Sequence, residues 1–264
     1  MKFPRVIIAA IGLLAAVSPA FSQTDACPTY GSLGGGNISR TEAVFTYNFP
    51  AIRIPPLEVK GEPYSGQNTS QIVRTLANGT HLTQPVQVSP MFYRDSMGRT
   101  RTDPVMMNTL GPASTVQVSR PYEINDPVAG YRYIIDDFHQ IVHRIAACKP
   151  ARQDNPAWLN SAAEDLGTQM MQGITVTGQR ETTTFPPGTY QGNDQTVTRV
   201  RETWRSVQLN LEFLSKTISP EGETRTNTMT NFSAAEPNPA LFQPPQDYRI
   251  IDETADFRIT IPVK

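Results

Sequence analysis

Residues 172–188 read QGITVTGQRETTTFPPG, 195–220 QTVTRVRETWRSVQLNLEFLSKTISP, 222–233 GETRTNTMTNFS and 236–248 EPNPALFQPPQDY. In the second segment Leu209, Leu211 and Phe213 alternate with Asn210 and Glu212. That period of two puts apolar side chains on one face of a strand and polar ones on the other. In the third, Thr224, Thr226, Thr228 and Thr230 occupy one face, ending at Phe232; threonine suits a pleated surface because its branched Cβ packs against neighbouring strands. Pro220-Glu221-Gly222-Glu223 is turn chemistry, with proline fixing φ and glycine free to take positive φ. A hairpin of Gln208–Ser219 with Glu223–Ser233 follows. Upstream, Pro186-Pro187-Gly188 and Gly192-Asn193-Asp194 bracket a loop between two more strands. Ile174 and Val176 share a face of the first, and Val200 and Trp204 a face of the second. These long strands make the chain mainly β and antiparallel.

Working back from this block, the turn signals recur. Asn78-Gly79 predicts a type I′ hairpin between Gln71–Leu76 and His81–Val88. Asp95–Gly98, Asp126–Gly130 and Asp136–His139 predict further turns, separating Met91–Arg94, Arg99–Thr102, Val116–Asn125, Tyr131–Ile135 and Ile141–Ile145. A short strand is expected at Ala43–Asn48. One helix is expected at Pro156–Leu166, with Asn155 as N-cap, Pro156 at its first position and Gly167 as its stop.

At 264 residues the chain has room for a sizeable core. Residues 1–22 read as a secretory signal peptide: Lys2 and Arg5, the apolar run Val6–Val17, then Ala20-Phe21-Ser22. Residues 23–56 are expected to be irregular and 57–264 to form a single β-rich domain. Removing Lys2 and Arg5 takes the formal charge from −1 to −3, which, with no Lys/Arg run, argues against a nucleic-acid partner. No other apolar run is long enough for a transmembrane helix. An exported protein, periplasmic or extracellular, meets an oxidising environment, so Cys27 and Cys148 are expected to form a disulfide.

Several phrases in order carry a resemblance: Leu76-Ala77-Asn78-Gly79-Thr80-His81, Arg94-Asp95 with Gly98-Arg99-Thr100-Arg101, Asp126-Pro127 with Gly130 and Tyr133, Leu166-Gly167 with Gly173-Ile174, Gly178 and Arg180, Glu202-Thr203-Trp204, and Glu236-Pro237-Asn238-Pro239-Ala240-Leu241-Phe242. Over roughly residues 70–250 the chain resembles a group of uncharacterised exported bacterial proteins. More remotely, a meander closing in Pro239-Ala240-Leu241-Phe242-Gln243-Pro244-Pro245-Gln246-Asp247-Tyr248 resembles the lipoprotein-carrier (LolA/RseB-like) half-barrel superfamily. That resemblance implies a LolA-like architecture, a curved sheet around a helical lid with acyl chains or lipopeptides in the concavity. It transfers no binding residue.

The chemistry-bearing residues do not assemble into a catalytic pattern. His139 and His143 lie about 13 Å apart if the segment is a strand, too far for one metal ion. Asp136-Asp137 and Glu164-Asp165 read as turn or cap residues, because neighbours on a strand point to opposite faces. No nucleophile motif is present, and no cofactor is expected. Methionine is the stronger signal: Met106-Met107 and Met170-Met171 are doublets, the second directly after the expected helix. Methionine packs in cores and also lines surfaces that accept irregular apolar ligands. Trp158, on that helix, is expected to face a groove. Arg94, Arg99 and Arg101 read as a solvated face. The expectation is a non-enzymatic envelope protein that binds a lipid, lipoprotein or other amphipathic ligand at Met106, Met107, Met170, Met171 and Trp158. The alternative is a structural protein that meets an envelope partner through its sheet edge; a hydrolase ranks last.

Overall fold

The computed structural model describes residues 38–41, 44–49, 60–108, 117–147 and 160–262. The chain is built of β-strands. The first half contributes β1 (Ile38–Thr41), β2 (Val44–Phe49), β3 (Tyr64–Thr75), β4 (His81–Thr83), β5 (Gln87–Val88), β6 (Phe92–Arg94), β7 (Thr100–Thr102), β8 (Met106–Asn108), β9 (Gln117–Ser119), β10 (Tyr122–Asp126), β11 (Tyr131–Asp136) and β12 (Ile141–Ala146). The second half contributes β13 (Asn160–Met171), β14 (Ile174–Phe185), β15 (Val197–Ser206), β16 (Leu211–Ile218), β17 (Glu223–Ser233), β18 (Arg249–Asp252) and β19 (Phe257–Pro262). The large sheet runs β13-β14-β15-β16-β17-β3-β6-β7-β10-β11-β12-β18, with β4 and β5 also on β3. It is curved and does not close. A second sheet, β1-β2-β19, joins the two ends of the described chain, and β8 pairs with β9 alone.

In residues 172–233 β14, β15 and β17 form as expected, but the strand expected at Gln208–Ser219 starts only at Leu211. Val207–Asn210 are a turn with Asn210 at φ +50°, and a bulge leaves Phe213 outside the register with β15, so Leu209 does not continue its alternation. β2 lies where a strand was expected. The helix does not form over its described part. Residues 160–171 are a strand that pairs with β14 through Gln172-Gly173, where φ is +48° and +80°. Two positive φ values make a turn whose twist suits a hairpin; this hairpin captures residues that local capping signals assigned to a helix. Gly167 stops nothing. It sits at a bulge with φ +80°, and the register shifts between Asp165 and Gly167. The one helix among the described residues is a 3₁₀ turn, Pro239–Phe242, capped by Asn238, whose side chain accepts from the Ala240 N–H at 3.0 Å.

Two smaller expectations also change. At Ala77-Asn78-Gly79 only Gly79 takes positive φ, +82°. Leu76 exchanges backbone hydrogen bonds with Gly79 and Thr80, and the Asn78 carbonyl side chain takes the Thr80 N–H, so the turn is wider than a two-residue I′ loop. In β17 a bulge at Asn231 (φ +51°) shifts the register between Thr230 and Ser233. The extra residue re-aims Phe232 away from the threonine row and onto the cluster around Met229 and Phe213.

Three apolar clusters hold the sheet. Phe45 and Tyr47 of β2 and Ile259 and Ile261 of β19 pack on Ile134 and Ile145 of the large sheet. Ile124, Tyr133, Ile135 and Val142 form the second, with Tyr122, Tyr131 and Tyr248 against it. Val176, Leu209, Phe213 and Met229 form the third, at the turn ends of β13–β17. There Gln172 donates to the Met229 carbonyl at 2.5 Å, so the β13–β14 turn touches a strand three places away in the sheet. That contact expresses the curvature.

The arginine-rich segment is not a solvated face. Arg94 is 4% exposed and donates to the carbonyls of Glu62 (2.7 and 2.9 Å) and Leu209 (2.8 Å). Asp95, fully buried, accepts from the N–H groups of Met97 and Arg99 and from Arg99 Nε at 2.6 Å. Arg99 lies over the Phe242 ring and Arg101 donates to the Leu241 carbonyl, while Glu236 accepts from Ser96. The Pro-rich tail is thus locked onto the β6–β7 turn.

Asp95→Ala removes a buried carboxylate and strands Arg99, so a loss of about 3 kcal/mol is expected in urea unfolding. Glu223→Ala, which removes an exposed pair with Arg225, is expected to cost about 1 kcal/mol or less. Alkaline pH tests the same region. Burial raises Tyr64 from its ordinary 10.0 to about 12, against the opposing pull of Arg94. An unfolded tyrosine ionises from pH 10 and the folded one resists until about 12, so the stability it contributes is full below pH 10 and lost on rising to 12. Tyr64→Phe should flatten that decline when unfolding is followed across the window.

Candidate functional site

Antiparallel register lines side chains into rows that cross the strands. One row runs Ala163, Glu181, Arg201, Thr217 from β13 to β16. The next runs Asp165, Gln179, Thr203, Ser215, Asn227, Ser70 over six strands and carries one charge, at its outer end. A third joins Thr168, Thr177, Arg205 and Glu212. On the β13–β16 end of these rows lies an open groove of about 650 Å³, lined by Ala163, Asp165, Thr177, Gln179, Glu181, Arg201, Thr203, Arg205 and Glu212, with Glu164, Gly178 and Val207 also touching it.

The groove carries charges of both signs. Arg201 meets Glu212 at 3.1 Å, and Arg205 donates to the Asn210 side-chain carbonyl. One Asp165 oxygen takes the Gly167 N–H at 2.8 Å, stapling the bulge. On the opposite face, register sets Glu164, Arg180, Glu202 and Lys216 side by side, a ladder of alternating sign. Arg180 bridges Glu164 (2.9 Å) and Glu202 (2.7 Å); its hydrogen bond to Glu202, then that to Glu164, hold the guanidinium above its ordinary range. Deeper in the neutral row, Asn227 donates to Ser215 Oγ at 3.3 Å. Ser70 Oγ is buried and has no hydrogen-bond partner among the described residues.

Met170 pairs with Thr175, two residues beyond the Thr168–Thr177 pair, which places it on the groove face. It is 64% exposed, and Thr175 Oγ1 donates to its sulfur at 3.2 Å. Val207 at the groove wall is 81% exposed. Met171, one residue on, belongs to the other face and packs against the third cluster. Met106 is exposed on β8, and Met107 follows it there, on the small β8–β9 sheet rather than beside the groove. Trp158, Cys27 and Cys148 lie outside the described residues. His139 and His143 take separate carboxylates, Asp136 and Glu253, each at 2.6 Å, and among the described residues no group of three ligating side chains assembles.

Gln179, Thr203, Arg201, Arg205 and Glu212 escaped the sequence reading, although their spacing of two was visible. Nothing in one strand says that its polar face will be bent into a wall. Gly178 supports that bend: a Cβ there would lie 2.6 Å from the Trp204 ring. Gly178→Ala is expected to push the indole aside, costing about 1–3 kcal/mol and shifting Trp204 emission in a Trp158→Phe background.

No protein-family model and no curated protein matches the chain. Among solved structures it is similar to an uncharacterized conserved protein from Thermus thermophilus, at 8% identity over 73% of this chain and 91% of that one, TM-score 0.35. It is similar to the lipoprotein LppX of Mycobacterium tuberculosis, at 8% over 66% and 88%, TM-score 0.27. A LolA superfamily protein from Nitrosomonas europaea matches at 6% over 70% and 93%, TM-score 0.20. At such scores the likeness carries no argument about function. Among the described residues no helix is long and apolar enough to cross a membrane.

Proposed function

We propose that this chain is a non-enzymatic exported envelope protein that holds an amphipathic ligand, a lipid or a lipoprotein, against the curved face of its large sheet. The observation that carries the reading is the juxtaposition of an open polar groove with two large, solvent-exposed apolar side chains, Met170 and Val207, at its end. The polar part of the ligand lies over the rows of Gln179, Thr203 and their neighbours. Its apolar part covers Met170 and Val207, whose exposure to water is unfavourable at roughly 25 cal/mol per Å². Met170 is unbranched and polarizable, and adapts to chains of differing shape.

The alternative, partner binding through a sheet edge, takes second place for a physical reason. The open edge at β13 carries Glu164, Asp165 and a bulge, the devices by which edge strands resist pairing.

Native mass spectrometry of protein exported to a periplasm and purified without detergent is expected to show extra mass that dissociates as lipid. Met170→Glu and Val207→Glu should each remove that mass while leaving the far-ultraviolet circular dichroism unchanged. A clean protein mass in the parent, or an adduct that survives both substitutions, would sink the reading.

A further inference from the structure

We infer that the groove selects a ligand whose polar part is uncharged and rich in hydroxyls, a sugar, rather than a phosphate, a carboxylate or an amine. The inference rests on the binding role proposed for the groove and specifies what it binds.

The first ground is electrostatic. The two groove arginines are engaged within the protein, Arg201 with Glu212 and Arg205 with Asn210. Arg201 is neutralised by Glu212, while Arg205 keeps its charge because Asn210 is neutral. Among the carboxylates, Glu212 is paired, Glu164 is bound by Arg180, and Asp165 spends an oxygen on the Gly167 N–H. Glu181 remains, opposite Arg201 in the register. The remaining groove charges, Arg205, Asp165 and Glu181, are of mixed sign, so a charged head group meets no cluster of opposite charge to offset its own desolvation.

The second ground is hydrogen-bonding capacity. The row beneath the groove is Gln179 and Thr203; farther on, Ser215 and the Ser70 hydroxyl are buried in the sheet. These amides and hydroxyls both donate and accept, as sugar hydroxyls do. Gln179 and Thr203 stand one strand spacing apart, about 4.8 Å, so two neighbouring strands present two partners to a polyol lying in the groove. The sequence shows the same pattern: charged residues flank this row, while the row itself is neutral from Gln179 to Ser70.

The test uses the full mature chain and titration calorimetry with three probes kept below micelle-forming concentrations: dodecyl maltoside, dodecyltrimethylammonium and free maltose. Dodecyl maltoside is expected to bind at least about tenfold more tightly than dodecyltrimethylammonium, which has the same tail and no hydroxyls. Gln179→Ala and Thr203→Val should each weaken the maltoside about fivefold, the worth of one neutral hydrogen bond, and leave the ammonium probe unaffected. Thr203→Ser, which keeps the hydroxyl, should restore the maltoside affinity, and unchanged thermal melts separate loss of recognition from loss of fold. Equal affinity for the two tailed probes, or a maltoside affinity indifferent to both substitutions, overturns the sugar inference and leaves the amphiphile reading standing. Binding of neither tailed probe nor maltose overturns both. Maltose binding as tightly as the maltoside supports hydroxyl recognition, identifies a free glycan as the source, and removes the amphiphile reading.

Discussion

Arg94 carries a guanidinium into the interior, and the large sheet is arranged around satisfying it. Its donors reach the Glu62 carbonyl just before β3 and the Leu209 carbonyl in the turn before β16, 115 residues away. Its flat face covers the Tyr64 ring at 4.7 Å. Burial pulls the arginine below its ordinary pKa, partly offset by Tyr64 and Glu62. An unpaired buried charge is too costly to tolerate, so β3, β6 and the β15–β16 turn must arrive together. The next residue, Asp95, closes the β6–β7 turn and holds Arg99 beneath the tail. Two adjacent charges thus tie the start, middle and end of the described chain.

The apolar clusters are distributed to the same effect. One glues the small sheet to β11 and β12, one covers the other face of those strands, and one sits at the turn ends of β13–β17. None extends over the body of β13, β14 and β15. Away from Trp204, which packs on the third cluster, cross-strand polar pairs take the place of a core: the Glu164–Arg180–Glu202–Lys216 ladder on one side, the neutral amide and hydroxyl row on the other. Exposed pairs of this kind contribute little each. The strands are held chiefly by their backbone ladders and by the tip contact of Gln172 with Met229. A surface that is not needed as core is free to serve as a binding wall.

This division bears on the ligand proposed for the groove. A cavity for bare acyl chains would be lined with aliphatic side chains, whereas here the apolar share is confined to Met170 and Val207 beside a polar groove. The sequence could not separate Met170, which is exposed, from Met171, which the pleat turns to the opposite face and half-buries against the cluster of Val176, Leu209, Phe213 and Met229.

The residues by themselves determined the strands. Alternation in Leu211–Phe213, threonine enrichment in Glu223–Ser233 and turn chemistry at Pro220–Gly222, Asp126–Gly130 and Asp136–His139 are local properties, and the hydrogen-bonding pattern of a hairpin is local too. What needed the tertiary structure was everything set by pairing over distance. The expected helix Pro156–Leu166 rested on capping signals of about 1 kcal/mol each; its described part, from Asn160, is taken up instead by the ladder to β14. Arg94, Arg99 and Arg101 alternate with threonine like an exposed edge, yet their partners are Glu62, Leu209, Asp95 and Leu241, which no spacing in the segment announces. The groove is legible last of all. Its floor is one residue from each of several strands, and only the register and the bend of the sheet decide which polar side chains stand together.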